Sequence, residues 1–358
     1  MLLVLKIGWQ TATTQRLSAA LTQALAGKEF RSLETPEEFL LWCQKPAMDR
    51  PEKALLFALP LTATGLNNTY GQWLSALLAH PHCLEGCVGG VLIDGDTELF
   101  TKKRARELIF LANSAGCCFP GKPLVEATGS LANFKILAEI QGLNNLGAYH
   151  KSVSALVEKL LDFRLPTSVG QHILVLHASI RQTSNTLLLW NLIKEHIAKD
   201  TTIEEISLRN GEIVDCRGCA YETCLHYGEQ GSCFYGGLIV EQVYPAIKRA
   251  DTLVLLCPNY NDSIGANMMA FINRLTALFR KDFPSFADKR FFAVVVSGYS
   301  GGDIIAEQIL DALNCNKNFI LPPYFSLLAT ANAPQSILAV PNIIETAASF
   351  ARLLCSSK

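Results

Sequence analysis

The sequence of 358 residues has no long apolar run and no excess of charge of either sign. No segment reaches the roughly 18 uninterrupted apolar residues of a membrane-spanning helix, and the first residues lack the basic start of a secretion signal. A net charge of -1 and a charged fraction of 18% argue against a surface that coats nucleic acid. We therefore expect a cytoplasmic, core-rich protein without a membrane or nucleic-acid partner.

The length predicts two domains, because a chain of 358 residues exceeds what a single hydrophobic core usually fills. A boundary is visible at 163–170, where Pro166, Ser168 and Gly170 follow a helix-like stretch and precede a new apolar run. The sequence thus predicts domains at 1–162 and 171–358.

Both halves alternate short apolar runs with longer helix-like stretches, which is typical of βαβ units around a parallel sheet. Three runs in each half are strong enough to be assigned as strands. They are Leu2–Ile7, Lys53–Leu59 and Val88–Ile93 in the first half, and His172–His177, Asp251–Cys257 and Phe291–Val296 in the second.

The two halves resemble each other, as the products of a tandem repeat would. A proline ends the second assigned strand of each half, at Pro60 and at Pro258. From Gly8 to Pro60 is 52 positions, whereas from Ser179 to Pro258 is 79, so the second half carries an insert between these points. The alternative, that any two α/β segments look alike, stays open.

Twelve cysteines in a chain without a recognisable signal peptide are not expected to form a disulfide framework, because reducing compartments keep thiols free. Most of them lie in apolar surroundings, where cysteine behaves as a small buried hydrophobe. These are Cys43, Cys83, Cys87, Cys117, Cys118, Cys315 and Cys355.

The remaining cysteine-rich segment is the insert of the second half, at about 211–237. It contains a C-x2-C-x4-C-x8-C cluster, and this spacing allows three interpretations. The thiols are free or redox-active, with the first two as the candidate redox pair; or four thiolates hold a [4Fe–4S] cluster; or they hold a structural zinc ion. The four residues are Cys216, Cys219, Cys224 and Cys233.

A loop rich in hydroxyl and amide groups follows the first strand of the second half and opens a helix. Such a loop suits a phosphate group, because backbone N–H groups and the helix dipole favour an anion there. It lacks the glycine pattern of a P-loop or a dinucleotide fold. The alternative is ordinary helix capping by Ser184 or Asn185.

Two further polar loops follow the next strands of the second half, at 258–263 and 297–303. Open α/β sheets bind ligands in the crevice outside the carboxyl ends of their strands. The three loops, each following a strand, therefore predict one shared ligand crevice.

The order of these motifs resembles that of the NADPH-dependent FMN reductase family of flavodoxin-like proteins, over about residues 171–335. More narrowly, it is similar to the branch that includes iron–sulfur flavoproteins, which carries cysteines after the second strand. The motifs are Ser179-x-Arg181-x-x-Ser184-Asn185-Thr186, Cys216-x-Gly218-Cys219, Pro258-x-Tyr260 with Phe271-Ile272-Asn273-Arg274, and Ser297-Gly298 with Gly301-Gly302.

The resemblance implies a binding site for FMN. The residues that it places at the FMN phosphate are Ser179, Arg181, Ser184, Asn185 and Thr186; those along the isoalloxazine are Pro258, Asn259, Tyr260 and Asn261; and those at the other edge of the ring are Ser297, Gly298 and Gly301. Catalysis would need no dedicated side chain beyond the flavin, apart from the candidate thiols Cys216 and Cys219.

The resemblance also implies a fold and an activity. The fold would be two tandem flavodoxin-like, three-layer α/β/α domains with parallel sheets in the order 2-1-3-4-5. The activity would be an FMN-dependent oxidoreductase that passes electrons from NAD(P)H or a reduced carrier to an unknown acceptor, which is a small molecule or a redox protein. The alternative is a non-catalytic flavodoxin-like module that senses redox state or binds metal.

The first half keeps the strand pattern but lacks the flavin motifs, so we expect a degenerate flavodoxin-like domain. Its first loop has hydroxyl groups but no arginine before Arg16, and Pro60-Leu61-Thr62 lacks the tyrosine of the second half. Since proteins of this family commonly pair, we expect residues 1–162 to pack against 171–358 as an internal pseudo-dimer. Further homo-oligomerisation stays open.

Overall fold

The computed structural model describes residues 1–9, 15–46, 49–166, 171–179, 183–209, 211 and 213–355. The chain divides into two compact units, Met1–Arg164 and Leu165–Lys358, which we call the N-terminal unit and the C-terminal unit. Arg181, which the sequence places at the FMN phosphate, lies outside the described residues, as do 10–14 of the first N-terminal loop.

The N-terminal unit is a five-stranded parallel sheet in the order β2-β1-β3-β4-β5. Its strands are β1 (Leu2–Lys6), β2 (Phe30–Leu33), β3 (Ala54–Leu61), β4 (Val88–Gly95) and β5 (Leu124–Ala127). Its helices are α1 (Gln15–Leu25), α2 (Pro36–Cys43), α3 (Tyr70–Ala79), α4 (Thr101–Ser114), α5 (Lys135–Gln141) and α6 (Asn145–Asp162).

The C-terminal unit is a second five-stranded parallel sheet, in the order β7-β6-β8-β9-β10. Its strands are β6 (His172–His177), β7 (Thr202–Ser207), β8 (Thr252–Pro258), β9 (Arg290–Ser297) and β10 (Ser326–Thr330). Its helices are α7 (Asn185–Lys194), α8 (Tyr221–Glu229), α9 (Tyr244–Arg249), α10 (Ala266–Lys281), α11 (Gly302–Leu310) and α12 (Ile343–Cys355).

Numbered within each unit, both sheets have the order 2-1-3-4-5, which confirms the predicted fold class. The six apolar runs assigned from the sequence coincide with β1, β3, β4, β6, β8 and β9. Every residue of β3 and of β9 is buried, because helices cover both faces of a parallel sheet. The four edge strands were not assigned, and their shorter or more polar sequences explain why: β7 reads TIEEIS and has one buried residue.

The helices build the cores on the sheet faces. In the N-terminal unit, α1 and α6 pack together over alternate residues of β1 and β3, including Leu2, Val4 and Leu56. In the C-terminal unit, α7 packs with α12, and α8 packs against α10. In the part of the chain that the structure describes, no helix is both long and apolar enough to cross a membrane.

The insert of the second half lies between β7 and β8, at the carboxyl end of an edge strand. In its described part, the corresponding connection of the N-terminal unit, 34–53, contains the α-helix α2, whereas 208–251 contains α8, a π-helical turn at Ile239–Val243 and α9. The four clustered cysteines therefore lie on the side of the C-terminal sheet where its strands end.

Candidate functional site

The first loop of the C-terminal unit leads from β6 into the N-terminus of α7. Ser184 is the N-cap residue, and its Oγ accepts a hydrogen bond of 3.5 Å from the backbone N–H of Leu187. The capping alternative is therefore realised. It does not compete with anion binding, because one side-chain oxygen leaves other N–H groups of a first helical turn without an intrahelical partner.

Asn185 has a role that the sequence does not reveal. Its Nδ2 donates to the carbonyl oxygens of Ala331 at 3.0 Å and Ala333 at 2.9 Å, and its Oδ1 accepts from the N–H of Ile337 at 3.3 Å. The amide thus joins the start of α7 to the segment after β10. Thr186, beside it, is buried, and Ser179 is partly buried at the end of β6.

Two buried polar atoms lie near this first loop and were not anticipated from the sequence. Nδ1 of His177 and Oγ of Ser207 have no hydrogen-bond partner among the residues that the structure describes. The two residues are register partners at the carboxyl ends of β6 and β7. Burial lowers the pKa of His177 because it disfavours the imidazolium, although a hydrogen bond to the backbone of Ser179 and the charge of Glu205 act in the opposite direction. Buried polar atoms without a partner call for an explanation such as a bound water, an ion or local strain.

The second and third loops are held together by the side chain of Asn259. Its Nδ2 donates to Oγ of Ser297 at 3.3 Å, to the carbonyl oxygen of Ser300 at 2.8 Å and to Oδ1 of Asp262 at 3.1 Å. Its Oδ1 accepts from the N–H of Asp262 at 2.8 Å. Both the Nδ2 and the Oδ1 of Asn259 are bonded within the loops. Asn259 therefore fixes the conformation of the second loop and its distance from the third.

Gly301 allows this close approach of the two loops. It has a φ of +81°, and a Cβ there would lie 2.1 Å from Oδ1 of Asp262. Asn261 and Asp262 also have positive φ values, so the second loop forms a tight turn. That turn leaves the ring of Tyr260 61% exposed beside Gly265.

A cavity of about 250 Å³ opens between the ends of β6 and β8 and the start of α10. Pro258 and Tyr260 of the second loop line it, as does Ala178 of the first. Its floor includes Cys257, whose pKa is raised to about 12 by burial, so this thiol is neutral at ordinary pH. Asn259 and the third loop are not among the described residues that line the cavity; the side chain of Asn259 joins the third loop to the second.

The corresponding crevice of the N-terminal unit is closed by its own side chains. Nδ2 of Asn67 donates to the carbonyl oxygens of Ile7 at 3.1 Å and Pro60 at 3.0 Å, at the ends of β1 and β3. The Asn67 amide occupies the position that a Cβ on Gly8 would take.

A second set of contacts closes the neighbouring edge of the N-terminal sheet. Nε of Arg16 donates to both carboxylate oxygens of Asp94, at 3.2 and 3.1 Å, and Tyr149 also donates to Asp94. The remaining guanidinium nitrogens of Arg16 donate to the carbonyl oxygens of Gly95, Thr128 and Gly129. Arg16 therefore satisfies its donors within the protein.

The cysteine-rich segment is fastened at both of its ends to α10. Arg274 donates from Nη1 to the carbonyl oxygen of Val214 at 3.0 Å and from Nη2 to that of Gly236 at 2.6 Å. Asn273 donates to Asp215 at 3.1 Å. Arg274 is 3% exposed, its Nε has no hydrogen-bond partner, and no carboxylate lies within ion-pair distance of it among the described residues.

The four cysteines of this segment do not form a metal site in the structure. Cys216 is exposed, and Cys219, Cys224 and Cys233 are partly buried. Among the residues described, no group of three or more His, Cys, Asp or Glu side chains is placed so that it could hold a metal ion. Burial raises the pKa of Cys224, the thiols of Cys219 and Cys216 raise it further, and Arg280 lowers it. The arrangement gives no support to an iron–sulfur cluster or a zinc ion.

Comparison with known protein families finds a match within the C-terminal unit. Residues 171–333 match the model of the NADPH-dependent FMN reductase family. No match was found among the curated proteins.

Several solved structures are similar to part of the chain. An FMN-dependent NADH-azoreductase from Bacillus anthracis, solved in complex with FMN, shares 15% identity and covers 52% of this chain and 100% of its own, with a TM-score of 0.37. An NAD(P)H:quinone oxidoreductase from Methanothermobacter marburgensis shares 14% identity over 51% of this chain and 94% of its own, with a TM-score of 0.38. A Trp repressor binding protein from Bacillus subtilis shares 17% identity over 52% of this chain and 99% of its own, with a TM-score of 0.35.

Proposed function

We propose, from the match of residues 171–333 to the NADPH-dependent FMN reductase family, that the chain is an FMN-dependent oxidoreductase. The proposed electron donor is NAD(P)H, and the acceptor is a small molecule or a redox protein. The observation that carries the proposal is the cavity between the ends of β6 and β8, which lies at the point where strand order reverses in the sheet. Doubly wound folds bind their cofactors at this point.

The described residues fit the two ends of an FMN molecule. The N-terminus of α7 would take the phosphate, with Ser179, Ser184 and Thr186 beside it and Arg181 as the expected cation. The cavity wall of Pro258 and Tyr260 would take one face of the ring system.

The protein residues have supporting roles in this reaction. Bound FMN would supply the redox chemistry, by accepting hydride from the donor and passing electrons to the acceptor. Asn259 and Gly301 would hold the second loop, which lines the cavity, against the third loop, and Tyr260 would shield the ring from water. The neutral thiol of Cys257 adds an apolar surface to the cavity without adding charge.

Absorbance of the purified chain tests the proposal. A bound flavin gives bands near roughly 370 and 450 nm, and anaerobic addition of NADPH or NADH should bleach the longer-wavelength band. The nucleotide, NADPH or NADH, that bleaches this band faster is the preferred electron donor of the purified chain. A chain that stays colourless and binds no added FMN would contradict the proposal, and one that binds FMN without bleaching would overturn NAD(P)H as the donor and leave a reduced carrier.

We expect one FMN per chain, held by the C-terminal unit. The side chains of Asn67 and Arg16 already occupy the corresponding edge of the N-terminal unit. Titration of the chain with FMN, followed by flavin fluorescence, should therefore give a stoichiometry of about one, because fluorescence changes as the flavin leaves water. Tyr260→Ala should weaken that single site, whereas Tyr70→Ala in the N-terminal unit should not. A second site of similar affinity would show that the N-terminal crevice opens.

The internal pairing of 1–162 with 171–358 stays a prediction. Expression of 165–358 alone tests it, since a stable fragment with full FMN affinity would argue against a required partner domain.

A further inference from the structure

Cys219 and Cys224 meet at the N-terminus of α8. Ala220 is the N-cap residue, with an extended backbone at φ -51° and ψ 147°, and the N–H of Cys224 donates to its carbonyl oxygen at 3.0 Å. Cys219 therefore precedes the N-cap, and Cys224 is the fourth residue of the helix. Side chains at these two positions pack against each other where a helix begins, as in a hydrophobic staple. Their thiols are hydrogen-bonding partners.

The surroundings of this pair suit a reaction with reagents from solvent. Both cysteines are partly exposed, in contrast to the buried Cys257. The guanidinium of Arg280 lies near Cys224 and 5.4 Å from the ring centre of Tyr221, the first residue of α8. Arg280 favours the thiolate of Cys224, which is the reactive form of cysteine, whereas burial and the neighbouring thiols raise its pKa, so the reactive form becomes more populated as the pH rises.

The segment that carries the pair is anchored to α10 on both sides of the two cysteines. Arg274 and Asn273 fasten the chain on both sides of the cysteines, at Val214, Asp215 and Gly236. α8 itself packs against α10. Cys216 lies before this helix start and is exposed, whereas Cys219 and Cys224 are each partly buried.

We propose that Cys219 and Cys224 form a reversible dithiol–disulfide pair that hydroperoxides oxidise. One thiolate attacks the peroxide oxygen, which breaks the O–O bond and gives a sulfenic acid and one molecule of water or alcohol. The second thiol then attacks the sulfenic sulfur, forms the S–S bond and releases water. Two electrons pass from the sulfur atoms to the peroxide, and a dithiol reductant reverses the change. The pair does not depend on flavin binding.

Fragment mapping of the full-length chain tests the proposal. The reduced protein is treated with hydrogen peroxide, its remaining thiols are alkylated, and the denatured protein is cut after arginine, lysine and glutamate. Cleavage after Arg217, Glu222 and Glu229 places each of the four clustered cysteines on its own fragment. We expect Gly218–Glu222 to be linked to Thr223–Glu229, and a dithiol reductant to release the link.

Matched variants complete the test. Cys219→Ser and Cys224→Ser should each abolish the link, while Cys315→Ser, which removes a partly buried cysteine elsewhere, should form it as the wild type does. Circular dichroism of each variant checks that it is folded. A link from Cys219 to Cys216 or Cys233 would overturn the proposal. So would thiols that resist peroxide, or iron or zinc bound by the cysteines of the isolated chain.

Discussion

Gly301→Ala is expected to weaken FMN binding about 100-fold. The new Cβ would lie 2.1 Å from Oδ1 of Asp262 and 2.9 Å from Nδ2 of Asn259, so the second loop must move. In the free variant the loops relax to another conformation, so FMN binding must restore the original one without two hydrogen bonds of about 1 kcal/mol each and with alanine at a φ of +81°, which costs about 1 kcal/mol more. Since about 1.4 kcal/mol is a factor of ten in affinity, the total gives the expected change. Equilibrium titration with FMN measures it.

Gly237→Ala is the matched control for this prediction. Gly237 also has a positive φ, of +68°, but a Cβ there would meet nothing within 4 Å. Alanine at 237 therefore introduces the same backbone strain as alanine at 301 but no steric clash. The FMN affinity of the Gly237→Ala variant should stay within about threefold of wild type. Equal affinities of the two variants would show that the contact between the second and third loops does not shape the flavin site.

Arg274→Met is expected to release the cysteine-rich segment from α10. The guanidinium donates two hydrogen bonds to the carbonyl oxygens of Val214 and Gly236, and bonds from charged donors contribute about 1.5–3 kcal/mol each. Removing a buried charge without a carboxylate partner offsets part of this loss. A net loss of about 3 kcal/mol raises the open population roughly 100-fold. Tryptic cleavage after Arg217 should accelerate by that factor.

Arg280→Met serves as the control, because Arg280 is on the same helix but exposed. Its loss should change cleavage after Arg217 by less than about threefold. Arg274→Lys should be intermediate, since one ammonium group does not reproduce the two-pronged geometry of a guanidinium. If Arg274→Met and wild type are cut at the same rate, the segment is held by something other than this residue.

The central part of the fold could be predicted from the sequence because buried parallel strands are almost continuously apolar. β3 and β9 illustrate this, and both were assigned correctly to within two residues at each end. The edge strand β7 could not be recognised, since it carries Glu204 and Glu205. Their carboxylates accept from Arg249 and from Lys194, residues brought near only by the folded chain.

The candidate site could be predicted as a set of loops, but the role of each side chain could not. The structure brings Asn259, Ser297 and Gly301 together, as their positions after neighbouring strands indicate. It assigns Asn185 to backbone groups that lie far away in sequence. These backbone groups come close to Asn185 only in the folded chain. His177 is a plain strand residue in the sequence, and no local pattern marks its orphaned nitrogen.

The amide of Asn185 has a practical consequence for where the cofactor-binding unit ends. The match to the family stops at residue 333, yet Ile337 donates to this amide and α12 packs against α7. A fragment cut at the family boundary would lose one of the three hydrogen bonds of the amide and the helix that covers α7. The smallest piece expected to keep the start of α7 in place therefore extends through α12, to Cys355.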